Sequence, residues 1–106
     1  MTTDSQPLQA LERANNLRVA RSQLKRRVGE GEVTAGEVVL ASPWETATMS
    51  LFDLLRCQRL WGGHRAHTFL VGCGISEIKT IGSLTDRQRT AVAARLSVRR
   101  VSLRRR

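Results

Sequence analysis

An all-α fold follows from three observations along this 106-residue chain. Apolar residues recur at steps of three or four through most of it. Helix starts are marked by Thr or Ser with a carboxylate or amide three residues on. No stretch alternates polar and apolar residues in the way a half-buried strand does. The architecture expected is a long N-terminal helix packed on a core of shorter helices, with residues 1–6 irregular, one domain over 7–98 and a disordered basic tail over 99–106.

Residues 1–6 are small and polar without periodicity, so a frayed end is expected. From Pro7, which suits a first helical turn, Leu11, Ala14, Leu17, Ala20, Leu24 and Val28 make one apolar stripe. Arg18, Arg21 and Lys25 fall on a neighbouring face, with Arg13, Arg26 and Arg27 around it, and only Glu12 opposes them. Gly29 and Gly31 should end this helix. Thr34 and Glu37 have capping-box spacing and predict a short helix over Val38, Val39 and Leu40, which Pro43 breaks. Trp44 to Thr48 read as a linker, with Trp44 covering the edge of the core.

Ser50 and Asp53 repeat the cap and launch a helix through Leu51, Phe52, Leu54 and Leu55 toward Leu60. After Gly62 and Gly63 a further helix should bury Ala66, Phe69 and Leu70, stopping at Gly72 and Gly74 with Ile75 as the hydrophobic contact. The loop Ile75 to Leu84 has Ile78 and Ile81 as expected anchors and Lys79 as its one cation. Thr85 and Gln88 form the last capping signature, before a helix with Ala91, Val92 and Leu96 inward and Arg87, Arg95 and Arg99 outward. The arginine-rich end from Arg99 holds too little apolar content to pack, hence the expected tail.

Charge narrows the function. Eighteen Lys and Arg against nine Asp and Glu leave a formal charge of +9, which self-repels unless a polyanion neutralises it. Nucleic acid is the first candidate. A membrane surface is the second, but no run approaches the roughly twenty apolar residues of a spanning helix, and no apolar signal segment follows Met1. A cytoplasmic location is expected. With that setting Cys57 and Cys73 are expected as buried thiols rather than a disulfide.

The stretch Leu60-Trp-Gly-Gly-His-Arg65 is the candidate site. Two glycines permit φ values closed to other residues and leave room for a phosphate to approach the peptide N–H groups. The helix that follows aims its unpaired N–H groups and the positive end of its dipole at an anion, with His64 and Arg65 adding contacts. Local sequence alone serves a tight turn as well as a phosphate grip; the charge of the whole chain favours the grip.

The order of these elements resembles the actinobacterial (mycobacterial-type) integration host factor family. The likeness spans roughly Leu8 to Leu96 and rests on Ala10-Leu-Glu-Arg13, Ala20-Arg-Ser-Gln-Leu-Lys25, Met49-Ser-Leu-Phe-Asp-Leu-Leu55, Trp61-Gly-Gly-His-Arg-Ala66, Gly74-Ile75 and Leu84-Thr-Asp-Arg-Gln-Arg89. The resemblance implies a helix-two-turns-helix nucleoid-associated protein that binds duplex DNA with little sequence preference. It implicates the glycine turn, the loop after the grip helix and the start of the last helix: Gly62, Gly63, His64, Arg65, Lys79, Arg87 and Arg89. The first helix adds Arg18, Arg21 and Lys25 as DNA-binding candidates from its charge alone. One departure is plain, since the family's loop is rich in arginine and this chain has Ile78-Lys-Thr-Ile-Gly-Ser-Leu84.

The same residues admit other readings. Cys57, His64, His67 and Cys73 offer possible zinc ligands, but their spacing matches no common site, so no cofactor is expected. Catalysis is not expected either, because Asp53, Glu77 and Asp86 read as caps or solvated carboxylates and no nucleophile is paired with a base. A small-subunit ribosomal protein uses a similar hairpin on RNA, which keeps RNA as the alternative partner. A cationic membrane-active helix over Leu11 to Val28 lacks anchoring aromatics. The expected partner is double-stranded DNA, met by a monomer, with no membrane and no small-molecule substrate.

Overall fold

Local hydrogen bonds start most of the helices. Thr34 Oγ1 accepts from the Glu37 N–H (3.1 Å) while Glu37 Oε1 accepts from the Thr34 N–H (2.8 Å). Thr85 and Gln88 exchange the same pair of bonds at 3.0 and 3.1 Å, and Ser50 Oγ accepts from the Asp53 N–H at 3.1 Å. All three caps fall where the sequence spacing puts them. The structure is a computed structural model and describes the backbone of residues 2–104 and the side chains of residues 8–97.

The element order is α1 (Thr2–Gly29), α2 (Ala35–Ala41), a 3-10 turn (Trp44–Thr46), α3 (Leu51–Arg56), α4 (Gly63–Cys73), a second 3-10 turn (Ile81–Ser83) and α5 (Asp86–Arg104). The fold is all-helical among the described residues, with one isolated antiparallel bridge between Ser50 and Thr80. Both chain ends, expected to be irregular, are helical in backbone: α1 starts at Thr2 and α5 runs to Arg104. No glycine or proline interrupts α5, and a helix nucleated elsewhere propagates through Arg and Leu without needing to pack. The side chains of the expected tail lie outside the described residues.

The core gathers Leu24 and Val28 of α1, Val38 and Val39 of α2, Leu51, Leu54 and Leu55 of α3, Ala66, Phe69 and Leu70 of α4, and Val92 and Leu96 of α5. Helix α2 lies along α5, and α3 pairs with α4. Five sequence expectations are corrected here, the first being α3: expected to run toward Leu60, it ends at Arg56, where the Cys57 N–H turns back to Leu54 O (3.1 Å) and the chain enters the turn that leads to Trp61. The apolar stripe of α1 is buried only at its C-terminal end: Leu24 and Val28 are 4 and 5% exposed, whereas Leu8, Leu11 and Val19 are 65, 61 and 54% exposed. A helix of 28 residues extends about 42 Å and overruns the short helices behind it, leaving a molecule 62 × 27 × 23 Å. Trp44 is 62% exposed, and Trp61 packs against the core in its place, edge-on to Phe69 at 5.7 Å. Ile81 is a buried anchor but Ile78 is 84% exposed. On α5, Ala93 faces inward and Ala91 does not.

The loop after α4 is tied to the start of α3. Helix α4 stops at Gly74, whose φ of 71° is left-handed, and the Ile75 N–H donates to Leu70 O (3.0 Å) in a Schellman closure. Across the Ser50–Thr80 bridge, Leu51 N–H donates to Lys79 O (2.9 Å) and Ile81 N–H to Met49 O (2.8 Å). This brings the two 3-10 turns into backbone contact, and Gly82 makes the contact possible: a Cβ there would lie 2.4 Å from Ala47 O and 2.8 Å from Ala47 Cα. Gly82→Ala is therefore expected to cost about 1–3 kcal/mol through overpacking against main chain, lowering the melting temperature by roughly 5–15 °C in a circular-dichroism melt. An unchanged melt would show that the turns do not meet this closely.

Candidate nucleic-acid interface

Helix α4 begins without a side-chain cap. Its N-cap is Gly62 (φ −92°, ψ −177°), no acidic residue stands in its first turn, and the first intrahelical bond runs from Ala66 N–H to Gly62 O (3.1 Å). The N–H groups of Gly63, His64 and Arg65 are thus left at an exposed helix end, where they and the positive end of the helix dipole attract anions. Helices α2, α3 and α5 fill the equivalent positions with Thr34, Ser50 and Thr85. Nothing lies within 4 Å of where a Gly62 Cβ would stand, so the approach is open.

The expectation that this turn uses glycine for positive φ is corrected. Gly62 and Gly63 both have ordinary backbone angles, and a Cβ on Gly63 would only make van der Waals contact with Phe52 (3.8 Å). The left-handed residue is Leu60, at φ 70°. The turn from Gln58 to Trp61 is closed by Trp61 N–H donating to Gln58 O (3.1 Å), and Leu60 occupies the position that ordinarily favours glycine or asparagine. For a leucine this conformation costs about 1–2 kcal/mol. What the glycines supply at α4 is space.

Arginines surround the open end. Arg65 stacks its guanidinium over the Trp61 ring at 4.5 Å, which holds a mobile cation on the first turn of α4. Arg56 sits 5.7 Å over the ring of Phe52, the same ring that flanks Gly63. Arg59 is exposed in the turn, as is His64 at the helix start. Sequence reasoning missed Arg56 and Arg59; their spacing of three just ahead of the glycines was the available signal. Beside the turn a cleft of about 420 Å³ is lined by Glu30, Gly31, Gln58, Arg59, Trp61, Arg65, Leu96 and Ser97 among others. Helix α5 therefore leaves the core on this side, heading toward the arginine-rich end of the sequence.

The remaining candidates do not join this group. Lys79 is held by its backbone beside Leu51, at the start of α3, whereas the glycine turn follows the end of α3. Arg87 is exposed on the first turn of α5, roughly 13 Å along that helix from Leu96 at the cleft. Arg89 is occupied by the fold: its guanidinium donates to Leu84 O (2.9 Å), Val39 O (3.2 Å) and Ile81 O (3.3 Å). Arg21 likewise donates to Glu45 O (2.9 Å) and to Thr48 Oγ1, tying α1 to the first 3-10 turn. Lys25 faces Asp53 at 3.7 Å, and Arg18 donates to Asn15. Sequence pattern shows charge, not whether a carbonyl already holds it.

The conceivable zinc ligands do not converge. His67 pairs with Glu77 across α4 and the following loop, and the Cys57 thiol donates to Asp53 O at 3.2 Å. Both cysteines are free and half-buried rather than fully buried. Desolvation pushes both thiols up from their ordinary pKa, outweighing the opposing pull of Lys25 on Cys57 and of Arg95 on Cys73. Among the described residues no group of three or more His, Cys, Asp or Glu could hold a metal, and no helix is long and apolar enough to cross a membrane.

The fold has a solved counterpart. It superimposes on a structure of sIHF bound to an 8 bp palindromic DNA with a TM-score of 0.72 and 23% identity, covering 80% of this chain and 98% of that one. At that identity the likeness is one of fold. No family model matches the sequence, and no curated protein does.

Proposed function

We propose that this chain is a non-enzymatic, nucleoid-associated protein of the integration host factor type that binds double-stranded DNA with little sequence preference. The observation that carries the reading is the uncapped N-terminus of α4, ringed by Arg56, Arg59 and Arg65, on a fold like that of a DNA-bound sIHF. One phosphate sits at the N–H groups of Gly63, His64 and Arg65, and the neighbouring guanidiniums take the flanking phosphates. Lys79 and Arg87 contact the backbone farther along the duplex. Arg18, Arg21 and Lys25 add long-range attraction from α1, and Arg89 acts through the fold. Phosphate contacts position a protein without reading bases, which is why little sequence preference follows.

A mobility shift on random duplex DNA, single-stranded DNA and duplex RNA side by side tests this. Duplex DNA is expected to bind best. Contact with about four to six phosphates gives a slope of log K against log salt of roughly −3.6 to −5.4. RNA bound as well as DNA would replace this reading with the RNA-binding one, and a slope shallower than about −2 would show that few of the cations meet phosphate.

A further inference from the structure

Leu60 combines two properties that folding does not reward. Its φ is 70°, and its side chain is 86% exposed, more than any other large apolar residue described. It adds nothing to the core, yet it holds a turn position that glycine would fill without strain. Two residues on lies Gly62, so Leu60 Cα is within about 7 Å of the N-cap Cα of α4. Arg59 precedes it, and Trp61, under the Arg65 guanidinium, follows it half-buried.

We infer that Leu60 is an apolar wedge that enters the minor groove of bound duplex DNA and presses between two base pairs. The inference rests on the DNA-binding reading above and adds a role for a residue that makes no phosphate contact. The minor groove is about 6 Å wide, so an exposed side chain two residues from the N-cap that receives a phosphate has the base edges of that groove within reach. Leucine is among the side chains that partly unstack a base step and kink the duplex toward the major groove. A protein partner fits less well: Leu60 is a single exposed apolar tip beside Arg59, and the other exposed large apolar residues nearest in sequence, Val71 and Trp44, lie toward the far end of α4 and in the first 3-10 turn. Flexible pyrimidine–purine steps are the steps expected to receive it.

The test uses a duplex with 2-aminopurine at a central TA step and a fluorophore pair at its ends, read beside a mobility shift. The parent protein should shift the duplex, raise 2-aminopurine fluorescence by unstacking, and shorten the end-to-end distance. Leu60→Ala should still shift the duplex, because every phosphate contact remains, but lose the fluorescence rise and the shortening. Leu60→Gly should lose them too while melting at a higher temperature than Leu60→Ala, since glycine relieves the positive φ. A parent that shifts the duplex without a fluorescence rise overturns the wedge alone, as does a Leu60→Ala variant that unstacks DNA like the parent. A parent that leaves the duplex unshifted overturns the DNA-binding reading and the wedge with it.

Discussion

Gly62→Asp is expected to make the protein more stable and a much poorer DNA binder. The N-cap backbone is already in the extended region that aspartate adopts at helix starts, and no atom lies within 4 Å of the new Cβ. The carboxylate would accept from the α4 N–H groups and oppose the helix dipole, together worth about 0.5–1 kcal/mol and a rise in melting temperature of roughly 3–6 °C. The same carboxylate would occupy the proposed phosphate site and repel the phosphate. Loss of one or two charge-assisted hydrogen bonds, each about 1.5–3 kcal/mol when desolvated, predicts at least a tenfold loss of affinity. Gly62→Asn serves as the control, capping the helix without the charge and so losing less. Should Gly62→Asp bind duplex DNA like the parent in a low-salt mobility shift, the end of α4 is not where phosphate sits.

Arg89→Met should do the reverse, lowering stability while sparing the affinity of the folded protein. The guanidinium satisfies carbonyls of α2, the second 3-10 turn and Leu84 at once. Methionine keeps most of the apolar stem but leaves those carbonyls without their donor. Hydrogen bonds from a charged group are worth about 1.5–3 kcal/mol, so a loss of about 2–3 kcal/mol is expected for the set, on the order of 10 °C in melting temperature. Binding measured well below the melt should change only by the removal of one charge. A variant that melts like the parent and loses DNA affinity would return Arg89 to the interface.

Interactions that span three or four residues were legible from the residue order. The caps at Thr34, Ser50 and Thr85, the left-handed stop at Gly74 and the inward face Ala66, Phe69 and Leu70 each depend on neighbours along the chain. Which of two equivalent apolar residues meets the core was not legible. Trp61 and not Trp44, Ala93 and not Ala91, and Ile81 without Ile78 were decided by elements far away in sequence. The site divided in the same way. The glycine turn and Arg65 were visible as a pattern, whereas Arg56 joins them only because Phe52 packs beside Gly63.

By itself, then, the sequence determined the helical class, the start of each central helix, the stops of α2 and α4, and a cationic chain with an open helix end at Gly62, because capping, periodicity and net charge are properties of local order and composition. Only the tertiary structure decided how far α1 outruns its core, which arginines remain free of carbonyls, and that Leu60 rather than a glycine carries the left-handed turn beside α4. Those outcomes depend on where distant backbone oxygens and side chains come to lie, and a guanidinium or a φ angle is committed only once they have arrived.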